Sequence, residues 1–217
     1  MKKGFEIAAD LTEAAFKSQL LTGVAKDIPY VSTLIKVWNL SDSIRDRMFA
    51  SKIVRFIEAI DEVSKKEKDE LSRKIKYLNQ DDLERVTDKI LFCIESITDI
   101  DKSEFIANFF IAYIYEKISE RELRQCIDIV QTSFLDDLKL YVETCIGTYA
   151  NEEDLNYQKI DGLISTPLFT NFRDDRLLQR TNDTDNIGKH LYKETFIGMQ
   201  FRIAFNFGKD RREVENS

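Results

Sequence analysis

The side chains best suited to chemistry in this sequence are few and scattered. His190 is the only histidine. A zinc centre of the usual kind draws on several His and Cys ligands. A nucleophilic triad would set His190 beside a Ser or Cys and an orienting acid. His190 borders a polar stretch, which reads as a solvated or structural position. The three cysteines, Cys93, Cys126 and Cys145, include no C-x-x-C pair. Cys93 and Cys126 sit among apolar residues at helical spacing, the pattern of reduced core thiols in a reducing compartment.

Carboxylates are plentiful, as in Glu67-Lys68-Asp69-Glu70, Asp81-Asp82-Leu83-Glu84 and Asp136-Asp137. Paired acids can do acid–base work or bind divalent metal. A helical di-metal site would need Glu-x-x-His motifs, which are absent. Asp99 to Glu104 shares acids with a calcium loop but lacks its central Gly and its Glu at the twelfth position. The acids therefore read as helix caps and solvated faces. The sequence holds no G-x-G-x-x-G, no G-x-x-x-x-G-K-[ST] and no G-x-S-x-G. No catalytic, cofactor-binding or metal-binding residue is assigned, no cofactor is expected, and the protein reads as non-enzymatic. One basic run, Arg45, Arg47, Lys52 and Arg55, lies near Trp38, Phe49 and Phe56 and could meet phosphates or an anionic membrane surface. Asp42, Asp46 and Glu58 dilute it, so a solvated helix face with i, i+4 pairs is the simpler expectation.

The elements that would position these groups are mostly helices. In 217 residues there are 15 Phe but only 7 Gly and 2 Pro, and 43% of the chain is hydrophobic against 33% charged. So few turn formers favour long helices over many-stranded sheets. The net charge is −7, and residues 157–217, with ten Lys+Arg and nine Asp+Glu, carry +1 of it. An acidic balance weighs against broad attraction to nucleic acid or anionic lipid. Glu6, Asp10 and Glu13 interrupt any signal-peptide core, and the apolar stretch 28–40 is too short to span a bilayer. A cytoplasmic location is expected.

Apolar periodicity predicts helices over about 10–24, from Pro29 to about 40, 43–64, 65–77, 81–97, 103–115 and 119–146. Ser64/Glu67 and Ser119/Glu122 have capping-box spacing. The helix carrying Phe105, Ile106, Phe109, Phe110, Tyr113 and Ile114 is apolar nearly all round, so it should be the central one. A short helix is expected over 152–164, broken before Pro167. Residues 171–189 read as an exposed polar loop. Residues 191–207 mix strand and helix periods, and the tail from Gly208 reads as frayed.

The segment 152–207 resembles the back half of a winged-helix domain. The resemblance rests on a helix ending at Leu163-Ile164, a short strand near 166–169, a polar tip, a returning strand at Leu191-Tyr192, and Thr195-Phe196-Ile197-Gly198-Met199-Gln200-Phe201 as a T-x-x-G-x-x-F pattern. It covers about a quarter of the chain. It implies a module that reads DNA or packs against protein. The helix it would use for reading carries Glu152, Glu153, Asp154 and Asp161 against Lys159 alone, the wrong charge for a major groove. The remainder, with its Ile28-Pro29 entry and Ser43-Ile44-Arg45-Asp46-Arg47 helix, is similar to uncharacterised bacterial helical proteins, a likeness that carries no function.

The reading is a mainly α protein. A helical bundle over 1–150 is followed by a small winged-helix-like or β-hairpin subdomain over 151–207 and a frayed tail over 208–217. Aromatics beyond the needs of a core favour a protein–protein interaction or regulatory role in a bacterial-type cytoplasm, with a protein partner or homo-oligomer. One alternative is a DNA-binding regulator using Arg173, Arg176, Arg180 and Lys189. Others are a peripheral membrane protein using residues 28–56, and an enzyme whose carboxylate or cysteine site assembles only in three dimensions. No small-molecule substrate is evident.

Overall fold

The computed structural model describes residues 24–29, 44–144, 146–147, 149–172, 186–187 and 189–213. The helices expected before residue 43, Trp38, Cys145, and Arg173, Arg176 and Arg180 of the polar loop lie outside the described residues.

After a 3-10 turn at Val24–Asp27, six helices follow in close succession. They are α1 (Ile44–Asp61), α2 (Lys65–Tyr77), α3 (Gln80–Ser96), α4 (Lys102–Ile114), α5 (Glu120–Thr132) and α6 (Leu135–Glu143). Local chemistry sets their ends. Ser64 Oγ accepts from the Glu67 amide to open α2. Asn79 opens α3 by accepting from the Asp81 and Asp82 amides, one residue earlier than the acids alone would suggest. At α5 the full capping box forms between Ser119 and Glu122.

The single helix expected over 119–146 is in fact two. Ser133 and Phe134 both adopt extended backbone angles, which turns the chain between α5 and α6. Asp136 and Asp137 in the first turn of α6 suit a fresh N-terminus. The turn leaves Phe134 outside the core while Leu135, Leu138, Tyr141 and Val142 are buried.

Helix α4 is the central element, and every residue from Lys102 to Ile114 except Glu104 is buried. Helices α1, α5 and the C-terminal helix α8 (Phe196–Glu213) all pack on it. Phe105 and Phe109 stand one turn apart on α4, and Phe205 and Phe201 stand one turn apart on α8. Their rings meet in antiparallel order, Phe105 with Phe205 at 4.3 Å and Phe109 with Phe201 at 4.6 Å between centroids. Matching i, i+4 rows is how two helices interlock, and each such aromatic pair adds about 0.5–1.5 kcal/mol beyond its buried area.

Two lysines are buried where helices end. Lys52 on α1 donates to the carbonyls of Glu95 and Ile97 at the end of α3. Lys102 at the start of α4 faces the Gln131 carbonyl in the last turn of α5, at 3.5 Å. A cation there satisfies orphan carbonyls and the negative helix end together. Burial lowers the pKa of both amines.

Beyond α6 the chain forms β1 (Ala150–Asn151), α7 (Glu152–Tyr157), a 3-10 turn at Asp161–Leu163, β2 (Phe169–Phe172) and β3 (Leu191–Glu194). The sheet is antiparallel in the order β1-β3-β2, with Phe169 opposite Glu194 and Ala150 opposite Tyr192. The chain is therefore a helical bundle with a small α/β appendage, as the sequence indicates. The helix expected over 152–164 stops at Tyr157, because Lys159 takes a left-handed conformation with φ 57°. Residues 191–207 prove to be strand and then helix, which explains the mixed periods. The expectation of a frayed tail from Gly208 is overturned as far as Glu213, since α8 runs to that residue with Arg212 buried. The last helix belongs to the bundle rather than to the appendage.

Candidate interaction surface

Helix α8 is held by three devices, and together they decide which face it shows to solvent. At its start, Thr195 Oγ1 accepts from the Gly198 amide at 3.0 Å, an N-cap. The same hydroxyl donates to the Pro167 carbonyl at 2.6 Å. Gly198 presses so closely on the chain that a Cβ there would lie 2.6 Å from Leu168 O and 2.7 Å from Tyr141 Oη. In the T-x-x-G-x-x-F stretch, Thr195 thus caps, Gly198 grants close approach, and Phe201 fills the core.

The second device is a polar cluster of Tyr141, Glu194 and Arg202. Tyr141 Oη donates to Glu194 Oε1 at 2.5 Å, and Arg202 Nη2 donates to the same oxygen at 2.8 Å. The Arg202 guanidinium also lies 4.5 Å from the centre of the Tyr141 ring. Burial, and then the neighbouring Glu194, push the Tyr141 phenol pKa well up, so it stays a donor.

The third device sits at the far end. Arg212 Nε donates to Glu62 Oε2 at 2.9 Å, Nη1 to Asn108 Oδ1 at 3.0 Å and Nη2 to Glu104 Oε1 at 2.7 Å. Glu104 Oε2 in turn accepts from Arg55 at 2.9 Å. Arg211 donates to Glu67 at 2.8 Å, and its guanidinium lies over the Tyr115 and Phe207 rings. Gly208 allows this end to dock, as a Cβ there would run into Asn108 O and lie 2.5 Å from Asn108 Cα.

With Phe201, Ala204, Phe205, Gly208 and Arg212 turned inward, Phe196, Met199 and Ile203 are left outward at i, i+3, i+7. They are 63%, 45% and 55% exposed. Such spacing makes one continuous apolar stripe. Isolated exposed apolar side chains are ordinary, whereas three in register on one helix face are a candidate for contact with another surface. The sequence signal was present but masked, because a second i, i+4 stripe, Phe201 and Phe205, runs along the opposite side of the same helix.

The other expected groups are not brought together. His190 is exposed beside Asn151, Glu152, Glu153, Asn156 and Lys189, and Lys189 pairs with Glu153 at 3.2 Å. Cys93 and Cys126 are buried free thiols. Burial is the main cause that raises the Cys93 thiol to about 11, and burial followed by Glu122 raises that of Cys126. Among the described residues no group of three His, Cys, Asp or Glu could hold a metal ion. No helix among them is long and apolar enough to cross a membrane. In the basic run, Arg45 pairs with Glu95, Lys52 with main-chain carbonyls and Arg55 with Glu104. These are contacts between helices, because α1 lies against α3 and α4, and the Arg47 side chain lies outside the described residues.

No protein-family model matches the chain, and no curated protein or solved structure matches it either.

Proposed function

We propose that this protein is a non-enzymatic interaction or regulatory protein, and that its partner docks on the outer face of α8. The observation that carries this reading is the Phe196–Met199–Ile203 stripe on a helix whose other side is fixed by two polar clusters and two close-packed glycines. A rigid helix presenting aromatic, Met and aliphatic side chains loses little entropy on binding, and such residues dominate interface energetics. A cytoplasmic setting fits the free, buried thiols of Cys93 and Cys126.

The test is size-exclusion chromatography with light scattering on the purified chain, followed by reconstitution with any partner recovered from its native cytoplasm. The reading expects a homo-oligomer or a stoichiometric complex that Ile203→Glu dissolves without altering the fold. A lone monomer, or a complex indifferent to Ile203→Glu and Met199→Lys, would count against it.

A further inference from the structure

The corner between α5 and α6 borders a cavity of roughly 340 Å³ that the α8 surface does not use. Thr98, Asp99, Lys102, Ser133, Phe134 and Leu135 are among its lining residues. Ser133 is 7% exposed, and its Oγ has no hydrogen-bond partner in the protein. Buried hydroxyls are normally satisfied, so an unpaired one on a cavity wall points to something that enters. Lys102 is 6% exposed, and its Nζ reaches the Gln131 carbonyl only at the long distance of 3.5 Å. An ammonium has three N–H groups to place. Helix α6 begins on the same wall with Phe134 as N-cap and no side-chain cap, so its leading amides are left for a ligand at the positive end of the helix.

These three features favour an anion despite the Gln131 carbonyl and the negative end of α5 on the same wall, and Asp99 refines the choice. Its Oδ1 accepts from the Asp101 amide at 3.0 Å, and Asp99 is also a lining residue of the cavity. A bare anion would be opposed by it, whereas a ligand with a donor next to its carboxylate would satisfy both charges. The acids of the first turn of α6 do not line the cavity. Asp136 is exposed, and Asp137 Oδ2 lies over Gly162. Phe134, 80% exposed, offers a ring at the mouth.

We propose that this cavity binds a small hydroxy- or amino-carboxylate. Lys102 Nζ, Ser133 Oγ and the first amides of α6 receive the carboxylate, and Asp99 accepts from the adjacent hydroxyl or ammonium. The test is amide-resolved NMR titration of the full chain with acetate, glycolate and free glycine. Saturable shifts are expected at the Ser133, Leu135 and Asp136 amides, with glycolate or glycine binding about tenfold tighter than acetate through the added charge-assisted hydrogen bond. In Ser133→Ala no internal hydrogen bond is lost, so the unfolding temperature should hold or rise while binding weakens about tenfold. Lys102→Met keeps the buried stem and should abolish binding. No saturable shift with any of the three probes, equal affinity for all three, or unchanged affinity in Ser133→Ala would overturn the proposal.

Discussion

Arg212 and Glu62 are 150 positions apart in the chain, yet Arg212 Nε donates to Glu62 Oε2 at 2.9 Å. The contact fastens the end of the last helix to the end of the first described one. The guanidinium is 7% exposed, so it depends on Glu62, Glu104 and Asn108 to replace the water it has lost. Arg212→Ala should cost about 2–4 kcal/mol, near the range for breaking a buried pair, since Glu62 keeps some solvent. Asp210→Ala, exposed on the same helix, should change stability by less than about 0.5 kcal/mol. Thermal or denaturant unfolding of the two variants side by side checks this, and equal effects would rule out the proposed anchoring.

Gly208 and Gly198 should behave against helix propensity. An interior Gly→Ala in a helix ordinarily gains about 1 kcal/mol. At Gly208 the new methyl would meet the Asn108 main chain, which cannot swing aside. Gly208→Ala and Gly198→Ala should therefore each destabilise by a net 1–3 kcal/mol or so. The control is Gly147, where a Cβ would find nothing closer than Tyr149 O at 3.9 Å.

Removing the Tyr141 hydroxyl should loosen the start of α8 without collapsing the core. Tyr141→Phe keeps the ring contacts with Phe169 and Phe201 at 5.7 and 5.9 Å and leaves Glu194 with Arg202. A loss of about 1–2 kcal/mol is expected, as for a hydrogen bond to a charged group. Amide hydrogen exchange should accelerate in the first turns of α8 more than in α4.

The buried thiols predict both reactivity and alkaline behaviour. In a Cys145→Ser background, Cys93 and Cys126 should resist thiol reagents in the native state at pH 8 and react fully in denaturant, because only the thiolate is nucleophilic. The Cys93 pKa rises on folding, from 9.0 to about 11. In the unfolded chain the thiol ionises first, so the stability it contributes is complete below pH 9 and is lost as pH rises towards 11. Unfolding midpoints measured across that window should fall with pH, and less so in Cys93→Ala.

Legibility of the fold tracked the range of the interactions. The central helix was readable because Phe105 to Ile114 are apolar on every side, a local property. The capping box at Ser119/Glu122 was equally local. Residues 191–207 were ambiguous because a strand and a helix follow each other within a few residues, each with its own period. The ordered end of α8 was not readable. Arg211 and Arg212 look like tail residues until Glu67, Glu62 and Glu104 are brought beside them, and those partners lie more than a hundred positions away. The turn at Ser133-Phe134 escaped notice because its apolar neighbours keep helical spacing on both sides of it. The exposed Phe196–Met199–Ile203 stripe was unreadable for a related reason, since two apolar stripes on one helix cannot be ranked inside or outside until the glycines fix which side docks.

The most direct test of the central claim is light scattering on the eluted wild-type chain and on the Met199→Lys/Ile203→Glu double variant, with circular dichroism to confirm equal helicity. The wild type is expected to form an oligomer, or a stoichiometric complex with its recovered partner, and the double variant, folded to the same extent, to run as a free monomer. A wild type that is monomeric and partnerless, or a double variant whose assembly matches the wild type, would contradict it.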